Sequence, residues 1–349
     1  MPQVAARAAV IHAAKDLRID TVSVAVPGPG EVLVRIGAGG ICGSDLHYYN
    51  HGGFGVIRLK QPMVLGHEVA GTIAALGAGV SHLAIGQRVA VNPSRPCNAC
   101  AYCLRGLQNH CLDMRFYGSA MRFPHVQGAF RELLTCDATQ AVPVADGVSM
   151  GEAACAEPLA VCLHAVRRAG DLIGRRVLIT GAGPIGALTA LAARRAGAGE
   201  IVMTDVVDAT LAIARRLAAD VTLNIADNPS ALAPFEADKG AFDVLFEASG
   251  NARALAGALA ALKPRGVIVQ LGLGGDVTLP MNLFVAKEFD LRGTFRFHEE
   301  FAQAVAFIGK RLIDVRPLIT ATVPLADALR GFEMASDRTQ SMKVQISFD

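Results

Sequence analysis

The chain has almost no charge of one sign to spare. Its 33 lysines and arginines face 31 aspartates and glutamates, a net of +2. That balance gives no electrostatic footprint for DNA, RNA or an anionic membrane, and none of these is expected as a partner. Long apolar runs are also missing. Mean hydropathy is high, at +0.37, but alanine and glycine carry much of it and are spread along the chain. The longest charge-free apolar stretch, 177–193, is short for a bilayer span, and Gly181, Gly183, Pro184 and Gly186 break it. Near the start, Arg7, Lys15 and Asp16 leave no clean apolar core for a secretion signal, so a cytoplasmic location is expected. Internal repeats and low-complexity linkers are absent. With 52% hydrophobic and 18% charged residues, the composition is that of a folded protein. A length of 349 residues suggests about two domains.

Cysteine is the residue the chain does concentrate. Four of its eight lie within 97–111. Without a secretion signal, such clustered thiols read as metal ligands or redox groups rather than disulfides.

The first 150 residues are rich in strand and turn signals. Pro27-Gly28-Pro29-Gly30 is a turn, and strands are predicted at 31–36, 69–76 and 88–91. The middle of the chain alternates. Strands are predicted at 176–180, 201–204, 242–246, 267–271 and 289–291, and helices at 187–196, 210–219 and 252–262. Such alternation builds a parallel, doubly wound sheet. The fold class is therefore α/β. A β-rich domain of residues 1–157 and 294–349 is expected around an inserted nucleotide-binding domain of residues 158–293.

The insert carries the segment VLITGAGPIG. Gly181, Gly183 and Gly186 are spaced G-x-G-x-x-G, follow a strand and open a helix. The first glycine permits the tight turn, the second lets backbone approach a pyrophosphate, and the third lets helix and strand pack closely. Asp205 ends the next strand, where a carboxylate accepts hydrogen bonds from a ribose diol. A 2′-phosphate would be repelled there. Residues 206–214 hold no compensating Arg or Lys, and Asp208 adds a second negative charge. NAD is therefore expected over NADP.

Cys97, Cys100, Cys103 and Cys111 place four thiols in one short loop, which suits a closed, structural zinc site. Disulfides and an iron–sulfur cluster are the alternatives. Three further segments each hold a metal-type residue: Cys42, the pair His67-Glu68, and Glu157. Taken singly, a buried thiol, a satisfied histidine and a helix N-terminal acid explain them equally well.

Together these features resemble the zinc-dependent medium-chain dehydrogenases over essentially the whole chain. GGICGSDLHYY, PMVLGHEVAG, NPSRPC, DMRFYGSAMRFPHV, EPLAV and GTFRF are similar to the polyol dehydrogenase branch, and most of all to its sugar-acid-oxidising members. The resemblance implies a GroES-like catalytic domain and a Rossmann coenzyme domain, with two zinc ions per subunit and NAD. It implies Cys42 and His67 as ligands of a catalytic zinc, with Glu68 or Glu157 as the third. The EPLAV match favours Glu157 and leaves Cys155 to packing. Pro184, Ile185, Gly272, Leu273, Phe295 and Arg296 would join the three glycines and Asp205 around the coenzyme. Ser44 is cast as the first hydroxyl of a proton relay, with His47 as its exit to solvent. Tyr48, Glu157 and Arg296 would hold substrate.

The implied reaction is oxidation of L-idonate to 5-keto-D-gluconate. The substrate carboxylate calls for an arginine fork from Arg115, Arg122 or Arg296. Alternatives are a neutral polyol such as sorbitol or L-iditol oxidised at C2, L-threonine, or a binding protein without turnover. The family also implies a homo-oligomer, a tetramer or a dimer.

Overall fold

The computed structural model describes residues 3–348. The chain opens with a hairpin of β1 (Gln3–Ala13) and β2 (Asp16–Ala25). Next come β3 (Glu31–Gly40), helix α1 (Gly43–His51), β4 (Glu68–Leu76), β5 (Arg88–Val91), β6 (Leu133–Asp137) and β7 (Ala141–Pro143). Helix α2 (Ala156–Ala169) leads into β8 (Arg176–Thr180), α3 (Pro184–Arg195), β9 (Glu200–Asp205), α4 (Asp208–Leu217) and β10 (Val221–Asn224). Strands β11 (Phe242–Glu247), β12 (Leu262–Gln270) and β13 (Asp290–Gly293) follow. The chain closes with α5 (Glu300–Gly309), β14 (Ile319–Pro324), α6 (Ala328–Ser336) and β15 (Lys343–Ser347).

Two large sheets result. The first is seven-stranded, in the order β7-β5-β4-β3-β15-β14, with β6 also on β3. Strand β3 pairs with β6 along Glu31–Arg35 and with β15 along Ala38–Gly40. The last strand of the chain thus completes the first sheet. The second sheet is parallel, in the order β10-β9-β8-β11-β12-β13. Its order reverses between β8 and β11, and ligands bind such sheets at that switch point.

Helix α2 belongs to both halves. Its alanines and leucines pack in one cluster with Ala70 and Ala90 of the first sheet and Val177 and Ile179 of the second. Small side chains let the layers approach closely, so the cleft between them is held by a core rather than a linker. The hairpin side has its own core, built from Ile11, Val34, Tyr48, Phe130, Phe332 and Ile346. Among the described residues no helix is long and apolar enough to cross a membrane.

Most predicted elements hold within a few residues, and three boundaries shift for local reasons. The helix expected over 252–262 stops at Ala258, and Leu259–Ala261 is a tighter 3₁₀ turn. Strand β12 then starts at Leu262, five residues earlier than expected, across Lys263-Pro264-Arg265. The strand expected at 289–291 begins at Asp290, because Glu288 takes a left-handed φ of 51° and ends the preceding helix.

The glycine loop follows β8 as expected. Gly181 has φ 90°, and a Cβ on Gly186 would lie 1.8 Å from the Gly181 carbonyl oxygen. Gly186→Ala is expected to push this turn open and weaken NADH binding by about tenfold or more, read by the fluorescence of bound NADH. Unchanged affinity would contradict the close-packing role.

Candidate active site

The metal-type residues meet where β3, α1, β4 and α2 converge. Cys42 is the N-cap of α1, and Asp45 one turn on closes a capping box with it. Asp45 is fully buried. One of its oxygens accepts from the Cys42 N–H at 3.0 Å, and the other from the Gly66 N–H at 3.1 Å. One carboxylate therefore clamps the two segments that carry Cys42 and His67. Gly66 has φ 88°, and a Cβ there would sit 2.1 Å from the Phe130 ring. Only glycine allows the chain to turn there and present His67.

Donor atoms of Cys42, His67 and Glu68 all lie within 4.8 Å of one another. Glu157, in the first turn of α2, is buried facing the same three groups but lies outside that set. The charges explain what such a set needs. Lys343 on β15 is buried and donates to both Glu68 oxygens at 2.8 Å and to the Ile41 carbonyl at 3.2 Å. Burial alone would depress the Lys343 ammonium, but Glu68 and Cys42 outweigh it and hold it charged. The approach is close because residue 40 is glycine: a Cβ there would be 2.1 Å from Glu68 Oε2.

Glu157 has no such partner. Burial first, then Glu68 and Cys42, push its carboxyl up to about 8, against the pull of His67. Burial, reinforced by Glu68, pushes the Cys42 thiol up to about 12. His67 Nδ1 is buried without a hydrogen bond, with Asp45 Oδ1 at 3.7 Å. An orphaned imidazole nitrogen, a protonated thiol and a protonated carboxyl are the donors that a divalent cation converts into ligands.

Beside this cluster, Arg296 takes a left-handed φ of 54°. Its guanidinium lies 4.3 Å from the Phe116 ring centroid and 4.9 Å from that of Phe295. Burial lowers its pKa to about 10, although Glu157 and Tyr48 hold it up. Such backbone strain costs about 1–3 kcal/mol and persists where surrounding structure fixes a functional group. Tyr48 is buried, and its hydroxyl accepts from the Ala120 N–H at 2.9 Å. A cavity of about 300 Å³ is lined by Phe116, Ser119, Met121, Arg122 and Arg296 among others. Arg122 reaches it while paired with Asp113 at 2.5 Å. Arg115 is not brought there. It is exposed on a two-residue ladder opposite Arg95.

Ser44 is half-buried in the first turn of α1, and His47 is exposed one turn later on the same face. Burial and the neighbouring His51 lower the His47 pKa.

The four-cysteine loop forms a separate lobe. Its sulfurs all lie within 4.8 Å of one another, with Cys100–Cys103 at 3.6 Å and Cys97–Cys111 at 3.4 Å. A disulfide needs about 2.05 Å, whereas four sulfurs about 2.3 Å from a zinc ion stand roughly 3.8 Å apart. Backbone N–H groups of Cys97 and Asp113 point at Cys111 Sγ, at 3.2 and 3.3 Å. N–H groups of Cys103 and Leu112 hold the Cys100 thiol down to about 6. Backbone N–H groups also lower the Cys97 thiol, whereas burial pushes Cys103 up to about 12. Four converging sulfurs suit a zinc ion with no open position.

In the second sheet, α3 starts at Pro184 with Ile185 behind it, and its N-terminus points at the switch point. Asp205 ends β9. Gly272 follows β12 and donates to the Glu247 carbonyl at 2.9 Å, and Leu273 is exposed beside it.

The Alcohol dehydrogenase GroES-like domain model matches residues 28–146, and the Zinc-binding dehydrogenase model matches 184–310. The L-idonate 5-dehydrogenase (NAD(P)(+)) of Escherichia coli K12 is 44% identical over 317 residues, covering 90% of this chain and 91% of that protein. The chain belongs to the zinc-binding alcohol dehydrogenase family. The Gallus gallus sorbitol dehydrogenase is 35% identical over 346 residues, 98% of this chain and 96% of that one. The crystal structure of the Escherichia coli L-idonate 5-dehydrogenase superposes with a TM-score of 0.95 at 42% identity, covering 99% of each chain. A zinc-dependent dehydrogenase of this family uses a nicotinamide dinucleotide, and the glycine loop with Asp205 suits one. The two donor sets described above suit two metal ions.

The sequence reading passed over Asp45 and Lys343. Asp45 had a local signal, since its position three residues after Cys42 makes the capping box. Lys343 had only one, a lysine inside an otherwise strand-like apolar run. Lys343→Met would leave Glu68 buried without its counter-ion. It is expected to lower unfolding free energy by about 3–5 kcal/mol in urea titrations. A change below about 1 kcal/mol would contradict the pairing.

Proposed function

We propose that the chain oxidises a secondary hydroxyl of a sugar acid, L-idonate to 5-keto-D-gluconate, reversibly and with NAD preferred. The observation that carries the acid substrate is Arg296. It is a strained, aromatic-sandwiched guanidinium at a cavity beside the donor cluster, near Tyr48 and Glu157. A substrate carboxylate wants such a fork, and Arg122 supplies a second cation on the same cavity. The likeness to the Escherichia coli L-idonate 5-dehydrogenase supports the same reading.

Cys42, His67 and Glu68 would hold the catalytic zinc, with Glu157 facing it from α2. When bound, zinc supplies Lewis acidity toward a hydroxyl oxygen, and the nicotinamide supplies the hydride acceptor. The chain's own groups do the rest. Lys343 fixes Glu68 through both of its carboxylate oxygens. Tyr48 and Arg296 orient the hydroxyl chain and its carboxylate. Ser44 takes the proton leaving the substrate hydroxyl, and His47 passes it to solvent. With its pKa lowered, His47 is neutral near pH 7 and free to accept.

NAD is the coenzyme whose ribose diol would meet Asp205 at the end of β9, and residues 206–214 add no cation of their own. A cytoplasmic homotetramer or homodimer completes the reading. The second reading is a sorbitol-type dehydrogenase, favoured by the buried Tyr48 and by the sorbitol dehydrogenase relatives.

Initial rates of NADH formation on L-idonate and on sorbitol separate the two. The acid reading expects kcat/KM at least about tenfold higher on L-idonate, and loss of most of that ratio in Arg296→Ala. Preference for sorbitol would overturn it and leave the polyol reading.

A further inference from the structure

The residues that follow Asp205 in sequence, 206–214, hold no cation. The fold brings a cation from much farther away. Arg338, 133 residues downstream, places Nη2 2.6 Å from Asp205 Oδ2. It stands on the loop between α6 and β15, opposite the mouth of the glycine turn. A Cβ on Gly183 would lie 3.8 Å from the same nitrogen.

We propose that Arg338 is the coenzyme-selecting residue of this enzyme, and that it admits a 2′-phosphorylated dinucleotide beside the unphosphorylated one. The inference rests on the dehydrogenase reading and refines its coenzyme.

Three observations carry it. Asp205 is already fully engaged. Oδ2 takes the Ala182 N–H at 2.6 Å as well as Arg338, and Oδ1 takes the Val206 and Val207 N–H groups at 2.7 and 3.2 Å. Its charge is therefore compensated before any coenzyme arrives, and the repulsion that excludes a 2′-phosphate is largely cancelled.

The loop that carries Arg338 is braced. Asp337 accepts from the Thr339 N–H at 2.9 Å, from the Thr339 hydroxyl at 2.6 Å and from Gln340 Nε2 at 2.5 Å. The Ser341 hydroxyl donates to the Met334 carbonyl at 2.7 Å. The adjacent acid is thus spent inside its own loop and does not neutralise Arg338.

Finally, the Arg338 side chain is 49% exposed while that of Asp205 is 3% exposed. The guanidinium reaches Asp205 with one edge and turns the rest to solvent. A guanidinium has five donors in a fixed fork, so it can hold Asp205 and still meet phosphate oxygens. An unphosphorylated ribose, by contrast, must compete with Arg338 for Asp205 Oδ2.

The consequence is an asymmetric effect of removing the side chain. Arg338→Ala exposes Asp205 to a 2′-phosphate and releases Oδ2 to a ribose diol. Calorimetric binding of 2′,5′-ADP and of 5′-ADP reads this without any substrate, so the result stands apart from the choice of sugar acid or polyol. The wild type is expected to bind both. The variant is expected to lose about tenfold or more on 2′,5′-ADP while its affinity for 5′-ADP holds or rises, and the ratio of kcat/KM for NADP over NAD should fall in parallel. Three outcomes overturn the proposal. They are a wild type that does not bind 2′,5′-ADP, a variant that weakens both nucleotides equally, as an anchor for the shared 5′-phosphates would, and a variant that changes neither.

Discussion

The structure depends on one electrostatic constraint: three acidic groups, the half-buried Cys42 and the buried Glu68 and Glu157, share one site with a buried cation, Lys343. Burying unpaired charge is costly, so the set must be neutralised. Lys343 offsets Glu68. The other two groups are neutralised by protons, which is why burial pushes Cys42 to about 12 and Glu157 to about 8. A divalent cation is the alternative to those two protons. With it, three negative charges meet three positive ones, and an imidazole without a partner gains one.

That constraint organises the chain around it. Lys343 lies on the last strand, so the neutral site exists only when β15 has returned to β3. Gly40 leaves the gap that the Glu68 carboxylate fills. Asp45 ties the Cys42 and Gly66 segments together, and α2 presents Glu157 while packing against both sheets. The cysteine lobe is the opposite case. Its four sulfurs converge on one point with backbone N–H groups already aimed at them, a closed site fit for structure. The other cluster lies beside Arg296, whose charge Glu157 helps to hold.

What was legible in the sequence was local. The glycine spacing at 181–186, the acid at the end of β9, the four-cysteine loop and the ligand types at Cys42 and His67 each depend on neighbours within a few residues. The invisible part depended on distant neighbours. Lys343 meets Glu68 across 275 residues, and Arg338 meets Asp205 across 133. A window over 206–214 has no way to register that second cation. Three arginines were candidates for the carboxylate fork, Arg296 foremost, and of these Arg122 and Arg296 reach the cavity. Arg115 sits on an exposed ladder, where alternation turns it outward. The helix Ala156–Ala169 is buried over most of its length, Glu157 included, because two sheets cover it, a placement its own residues do not announce.

The most direct test of the account counts protons. Zinc is titrated calorimetrically at pH 7 into metal-free protein, in buffers of different ionisation enthalpy. A Cys42→Ser/His67→Ala variant serves as the blank for the cysteine lobe. The account expects the cleft site to release about two protons per zinc in the wild type, and about one in Glu157→Gln. Release of no protons at the cleft site, or an unchanged count in Glu157→Gln, would contradict it.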